Sequence, residues 1–573
     1  MPLSSTPKKM ETAYDYDLGC HTFPITTNSQ AAQIWFDRGL LWCYAFNHDE
    51  GYRCFEKAIH EDKSCAMAYW GLAYATGPNY NKSWTMFDSR DLEKCVKICY
   101  QAVEKASQLA AAESLSPVER SLIHAIHQRF PVDHPVSDFS VVNKAYADAM
   151  ECVYQEHGSG DMDVTTLYSD ALMHTSLRKF FDMKTGLPIE TSPVHKVRHV
   201  FDTAFKHPDA EKHPGLLHFW IHFMEMSFEP GTALPAADKL RHLIPDGGHV
   251  QHMPTHLDVL VGDYRRSVES NTSAVAADEK YLARAGAKNF YSFYRLHNYH
   301  SLIYAAMLSG QRKVALRAVD DMEISITDDL LTIESPPFAD WMEFFKAVRV
   351  HVYIRFGMWE ELKSQSLPHD QNLYCVTTTM IHYGKAIAWA ATGDVEIADQ
   401  ERASYHKAAK TIPPTRKDFP NLISDVLKVA TPMLDGEIEY RRGNFDRAFE
   451  SLREAIHYDD CLHYTEPWGW MVPTRHAYAA LLLEQGHIDE AARAYAEDLG
   501  LDGPLTRAHQ HPYNVWALHG YHECLLRLKR EPESRIIKQQ LDLAMSFADI
   551  PIPSSCFCRL GVPASGQTSS CRK

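Results

Sequence analysis

Trp35-Phe36-Asp37-Arg38-Gly39-Leu40-Leu41-Trp42-Cys43-Tyr44-Ala45-Phe46-Asn47-His48-Asp49-Glu50-Gly51-Tyr52-Arg53-Cys54-Phe55-Glu56-Lys57-Ala58-Ile59 decides the fold. Trp35, Leu40, Leu41 and Tyr44 fall on one helical stripe. Asn47-His48-Asp49-Glu50 then forms a polar turn, with a short oxygen-bearing side chain placed to cap the next helix. That second helix carries a small residue at Gly51, a large apolar one four later at Phe55, and Ala58 three beyond it. Ala66-Met67-Ala68-Tyr69-Trp70-Gly71-Leu72-Ala73-Tyr74 opens the next unit, where small side chains let two helices approach closely.

The pattern recurs along the chain. Gly262-Asp263, Gly310-Gln311, Gly393-Asp394, Gly443-Asn444 and Gly486-His487 each put a glycine where one helix ends and a polar residue where the next begins. A helix C-terminus commonly needs a left-handed residue just beyond it, which glycine supplies. Repetition of the unit predicts an all-α superhelix of antiparallel helix pairs of the tetratricopeptide type. Neither a sustained period-2 run nor an Asn-Gly hairpin argues for strands. Ser335-Pro336-Pro337 is a joint that stops a helix. The expected organisation is an N-terminal extension over 1–30, a continuous repeat domain over 31–550, and a flexible tail rich in Ser, Pro and Gly over 551–573.

A net charge of −16 with no basic stripe argues against nucleic acid, which demands clustered Lys and Arg. No apolar run approaches the roughly 18–20 residues a membrane span needs, and the opening MPLSSTPKKMETAYDYDLG has no apolar core behind its lysines. The 13 cysteines show no CxxC pair or disulfide-framework spacing and read as reduced thiols of a cytoplasmic protein. Among them Cys43, Cys54 and Cys65 lie on apolar stripes and read as core.

Histidine is the anomaly. Of 32 in the chain, nine lie between His213 and His300. Reading 214–227, 254–261 and 291–308 as the first helices of successive pairs puts His218, His222, His256, His297 and His300 on the concave wall of the superhelix. His218 and His222 are four apart, with Glu225 three further on the same side. His297 and His300 are three apart, and His252 and His256 bracket Pro254, a helix start. Imidazoles at such spacings suit a divalent metal, so His218, His222, His252, His256, His297 and His300 are the candidate ligands. Phe219 stands where a HExxH protease needs its glutamate. The alternative is a polar groove wall, with these rings hydrogen-bonded to backbone or to Tyr294, Asn298 and Tyr299. For a groove ligand the candidates are His48, Glu225, Tyr294, Asn298 and Arg475; His48 faces the groove or belongs only to a cap. Glu466-Pro467-Trp468 brings an aromatic ring near Arg475, suited either to gripping a carboxylate or to simple stacking. Neither a phosphate-binding glycine loop, a dinucleotide fingerprint nor a GxSxG elbow is present.

Phe36–Leu40, Tyr44–Glu50, Ala66–Gly71 and Gly77-Pro78-Asn79-Tyr80-Asn81 resemble a family of tetratricopeptide-domain proteins of bacteria and fungi. So do His213-Pro214-Gly215 with His218 and His222, Ala233–Ala237, His252-Met253-Pro254-Thr255-His256, and His297-Asn298 with His300. Bacterial members usually carry Ser and Tyr where this chain has Thr255 and Asp258. The resemblance implies a superhelical fold and names no reaction; fungal relatives in biosynthetic gene clusters make a small-molecule role conceivable. Two functions are expected side by side. One is a binding or scaffold protein that takes a peptide, a protein partner or a small molecule in its concave groove. The other is an enzyme acting on a small molecule through a metal or through histidine acid–base chemistry.

Overall fold

The computed structural model describes residues 14–112, 115–158, 160–466 and 469–559. Helices pack in adjacent antiparallel pairs from Gln30–Tyr44 to Glu531–Met545, a superhelix of the tetratricopeptide kind. Among the described residues the only strands are Lys417–Asp418 and Asn421–Leu422, one short antiparallel pair.

The opening stretch folds as its spacing demands. Gln30–Tyr44 and His48–Glu61 are the first pair, and the Asn47 side chain accepts from the Glu50 N–H to start the second helix. Phe55 is fully buried between two glycines: a Cβ on Gly39 would stand 2.8 Å from its ring, and one on Gly71 2.2 Å. The small residues of neighbouring helices are thus the socket for the large one. The five predicted glycine junctions all have positive φ, from 73° at Gly310 to 96° at Gly393. Ser335–Pro337 separates the short helices Asp328–Leu331 and Phe338–Met342.

Two apolar cores share the chain, one running from Tyr16 to Tyr294 and the other from Leu260 to Cys558. They meet along Tyr291–Leu308, whose first turn belongs to the earlier core and whose remainder belongs to the later one. This seam positions the site described below.

Both ends of the described chain are packed. In the expected N-terminal extension, Tyr16, Leu18 and Phe23 are buried. The expected tail is described as far as Arg559, and there Ile552, Ser554, Ser555 and Cys558 are buried. Ser555 donates to the His476 carbonyl and accepts from Arg355 through its own carbonyl. Residues 1–13 and 560–573, with Cys571, lie outside the described residues, as do Pro467 and Trp468. The cysteines depart from the expected reduced set at one place: Cys556 and Cys558 are joined in a disulfide, at a CxC spacing that a search for CxxC passes over. Cys43, Cys54 and Cys65 are buried thiols. Among the described residues no helix is long and apolar enough to cross a membrane.

Candidate metal centre

Six imidazoles gather at the seam between the cores. Pro214–Met224 supplies His218 and His222, Gly248–His252 supplies His249 and His252, Pro254–Val261 supplies His256, and Tyr291–Leu308 supplies His297. The first helix starts where His213 accepts from the Leu216 N–H and Pro214 needs no hydrogen-bond acceptor. Ring centroids lie 4.9 Å apart for His218 and His222, 5.1 Å for His218 and His249, and 4.7 Å for His252 with either His256 or His297. Contacts of 5.6 Å between His222 and His256 and 5.7 Å between His249 and His252 join the two triads into a ladder. Every ring but His297 is buried.

Hydrogen bonds orient the rings. His218 Nδ1 lies 2.6 Å from the Tyr44 carbonyl, and His252 Nδ1 2.8 Å from Asn271 Oδ1. Glu225 uses both oxygens, Oε1 on His222 Nδ1 at 2.9 Å and Oε2 on His256 Nδ1 at 2.7 Å. These oxygens only accept, so each Nδ1 carries a proton, and in the neutral ring the lone pair is left on Nε2. His252 Nε2 then lies 2.8 Å from His256 Nε2 and 3.1 Å from His297 Nε2. A metal held by nitrogens at about 2.0–2.1 Å places ligand pairs about 2.9–3.4 Å apart; two pairs are close to that spacing and the third lies within 4.8 Å.

Charge follows from burial. Burial, with neighbouring rings acting the same way, holds His218, His222, His249, His252 and His297 well below the ordinary imidazole pKa, which keeps them neutral. His256 is the exception: burial acts to lower it, but Glu466 and Glu225 outweigh that and raise it. Glu466 Oε2 stands 3.4 Å from His256 Nε2, while its other oxygen accepts from Arg178 Nη1 at 2.7 Å. Arg178 also donates to Asn81 Oδ1 at 2.9 Å.

Backbone strain concentrates here. Five non-glycine residues among those described have positive φ, and three of them surround the ladder: Phe46 at 56°, Arg178 at 57° and Glu466 at 58°. Side chains avoid this region unless the surroundings impose it, at roughly 1–3 kcal/mol each. The Phe46 ring stacks on His222 and His249, at 5.6 and 5.1 Å, and lies 4.3 Å from His218. Phe46 also lines a cavity of about 380 Å³, together with His48, Asn79, Lys82, Phe290 and Tyr291.

Of the sequence candidates, His218, His222, His252, His256 and His297 come together with Glu225. His300 does not: its Nε2 lies 3.0 Å from Met471 Sδ, between Phe344 and Phe345. Three residues turn a helix by about 300°, so His297 and His300 diverge by about 60° and reach different neighbours. Tyr294 packs its ring 5.0 Å from His249 and donates to Asn79. Asn298 is turned away, donating to Asp278. His48 lines the cavity and bonds the Ala75 carbonyl through Nδ1. Arg475 is remote from the ladder, ion-paired with Asp460 and Glu497. Sequence reasoning passed over His249 as a ligand, although it precedes His252 by three and His256 by seven, a helical stripe. Phe46, Arg178, Asn271 and Glu466 also belong to the site.

A second histidine group, His21, Asp163 and His213, reads differently. Both rings place Nε2 3.0 Å from Asp163 Oδ1, which also accepts from Tyr44 at 2.7 Å. His213 Nδ1 accepts from the backbone, so its proton sits on Nε2 and goes to Asp163. That lone pair is used for helix capping and withheld from a metal.

No protein-family model matches the chain, and no curated protein matches it. Among solved structures it is similar to the Cut9–Hcn1 hetero-tetramer of APC/C, with 11% identity over 90% of this chain and 96% of that one and a TM-score of 0.27. Ypp1 gives 10% identity over 94% and 79%, with a TM-score of 0.40; yeast Tom70 gives 12% over 90% and 95%, with 0.24. Likenesses this loose say nothing about the histidines.

Proposed function

We propose that the chain is a metal-binding repeat protein, with a transition metal held by His252, His256 and His297, and that it acts on a small molecule admitted through the cavity beside Phe46. One observation carries the reading: the Nε2 atoms of His256 and His297 lie 2.8 and 3.1 Å from that of His252, and Asn271 and Glu225 hold the Nδ1 protons of His252 and His256. Imidazole donors suit zinc, copper, iron or nickel. Glu466, beside His256 and steadied by Arg178, is the carboxylate placed to exchange a proton with a ligand at the ion.

A protein- or peptide-binding role is the second reading. The superhelical fold is compatible with it, and the surface that would serve is a groove of about 790 Å³ lined by His21, Phe23, Val118 and His242, apart from the ladder. Cytoplasmic residence and the absence of a nucleic-acid partner belong to both readings.

The test uses untagged protein, stripped by a chelator and titrated with Zn²⁺. The wild type should bind zinc, and His252→Ala/His297→Ala should lose at least about tenfold in affinity. Equal, weak binding by both overturns the reading.

A further inference from the structure

We infer that the ladder is a two-ion centre, in which His218, His222 and His249 hold a second ion and that ion is monovalent copper. This rests on the metal reading above and adds to it the number and kind of ions.

The three residues bring one ring nitrogen each to within 4.8 Å of the others. His218 Nε2, His222 Nε2 and both nitrogens of His249 are buried without a hydrogen-bond partner. Four orphaned nitrogens on adjoining rings break the rule that buried polar atoms are satisfied. They do not satisfy one another either: Tyr44 and Glu225 hold the protons of His218 and His222 on Nδ1, and the one N–H of a neutral His249 reaches no acceptor. The Nε2 lone pairs of His218 and His222 and the one lone pair of His249, gathered within 4.8 Å and unpartnered, are what a cation requires.

The pairing of the two triads is built into their support. Glu225 orients His222 of one triad and His256 of the other through its two oxygens. A carboxylate behind a ligating imidazole fixes its tautomer and strengthens it as a donor. Here one carboxylate does this for both halves, which ties their geometries together.

The surroundings choose the ion. The second triad is all imidazole, and Phe46 and Tyr294 press on its rings. Neutral ligands, with the carboxylate held behind His222 rather than on the ion, cancel only part of its charge, and the cost of burying charge rises with its square, so a monovalent ion costs about a quarter of a divalent one. Three imidazoles can complete a trigonal cuprous site, whereas zinc on three imidazoles adds a water or another fourth ligand. The first triad is nearer to negative charge, since Glu466 stands 3.4 Å from His256 Nε2 and only within 4.8 Å of a His222 nitrogen.

Anaerobic titration of metal-free protein with Cu⁺ against a chromophoric chelator tests this. The wild type should take up about two equivalents of Cu⁺ but about one of Zn²⁺. His249→Phe is the variant of choice: neither ring nitrogen of His249 is hydrogen-bonded, so an aromatic ring of similar size removes only the ligand. It should bind about one Cu⁺ while keeping its Zn²⁺, and the retained zinc shows that the fold is intact. A single Cu⁺ in the wild type, or two retained in His249→Phe, overturns the second site and leaves the first standing. Two equivalents of Zn²⁺ in the wild type overturn the choice of copper. Binding of neither ion overturns both.

Discussion

Arg178 and Glu466, 288 positions apart in sequence, are joined by a 2.7 Å ion pair while each holds a left-handed backbone. The Glu466 side chain is almost entirely buried. Arg178→Ala should therefore destabilise the protein by about 3 kcal/mol, because it leaves a buried carboxylate unpaired. Adding Glu466→Ala should recover part of that loss. Urea denaturation of the two variants checks this; a double variant no more stable than Arg178→Ala would contradict it.

Glu225→Gln tests whether one carboxylate supports both triads. An amide accepts through only one of its two terminal atoms, so His222 and His256 cannot both keep their Nδ1 partner. Metal affinity should fall about 10–100-fold, measured by chelator competition. An unchanged affinity would remove Glu225 from the centre.

Two glycines offer a contrast in kind. Gly71→Ala drives a Cβ to 2.2 Å from the Phe55 ring and should cost roughly 1–3 kcal/mol or more through overpacking. Gly443→Ala meets nothing within 4 Å, so its cost is that of a left-handed alanine at φ 81°, about 1 kcal/mol. Thermal melts of the two should rank in that order.

Asp418 supplies a pH dependence away from the centre. Burial pushes its pKa up from 3.8 to about 8. A carboxyl raised on folding stabilises relatively at low pH, and that contribution is lost as pH rises from about 4 through about 8. Asp418→Asn, neutral at every pH, should match the wild type near pH 4 and become the more stable form above it. At full ionisation the gap is on the order of 5 kcal/mol. Denaturation midpoints measured from pH 4.5 to 8.5 check it; parallel curves would contradict it.

What could be read in the sequence followed the range of the interactions. Helix pairing depends on residues within one or two turns of each other, so Gly51, Phe55, Ala58 and the glycine junctions announced it. Five of the six ladder histidines were legible because their helices could be drawn from local pattern. His249 was not: Pro254 drew attention to His252 and His256 on either side of it, and the five-residue helix Gly248–His252 is too short to extend that pattern back to His249. His300 shares a helix with His297, but side-chain direction separates them. Phe46, Arg178 and Glu466 carry no local signal, because they reach the ladder only when distant parts of the chain have packed.

That distance sets an order of assembly. Tyr44 and Phe46, which hold and cover His218, leave the ribosome early; the six rings follow within one stretch; Glu466 arrives long after them. Until then His256 faces no carboxylate from the later half, and the seam between the two cores is open on one side. The ladder is thus finished late in synthesis, because its last carboxylate is made long after its rings.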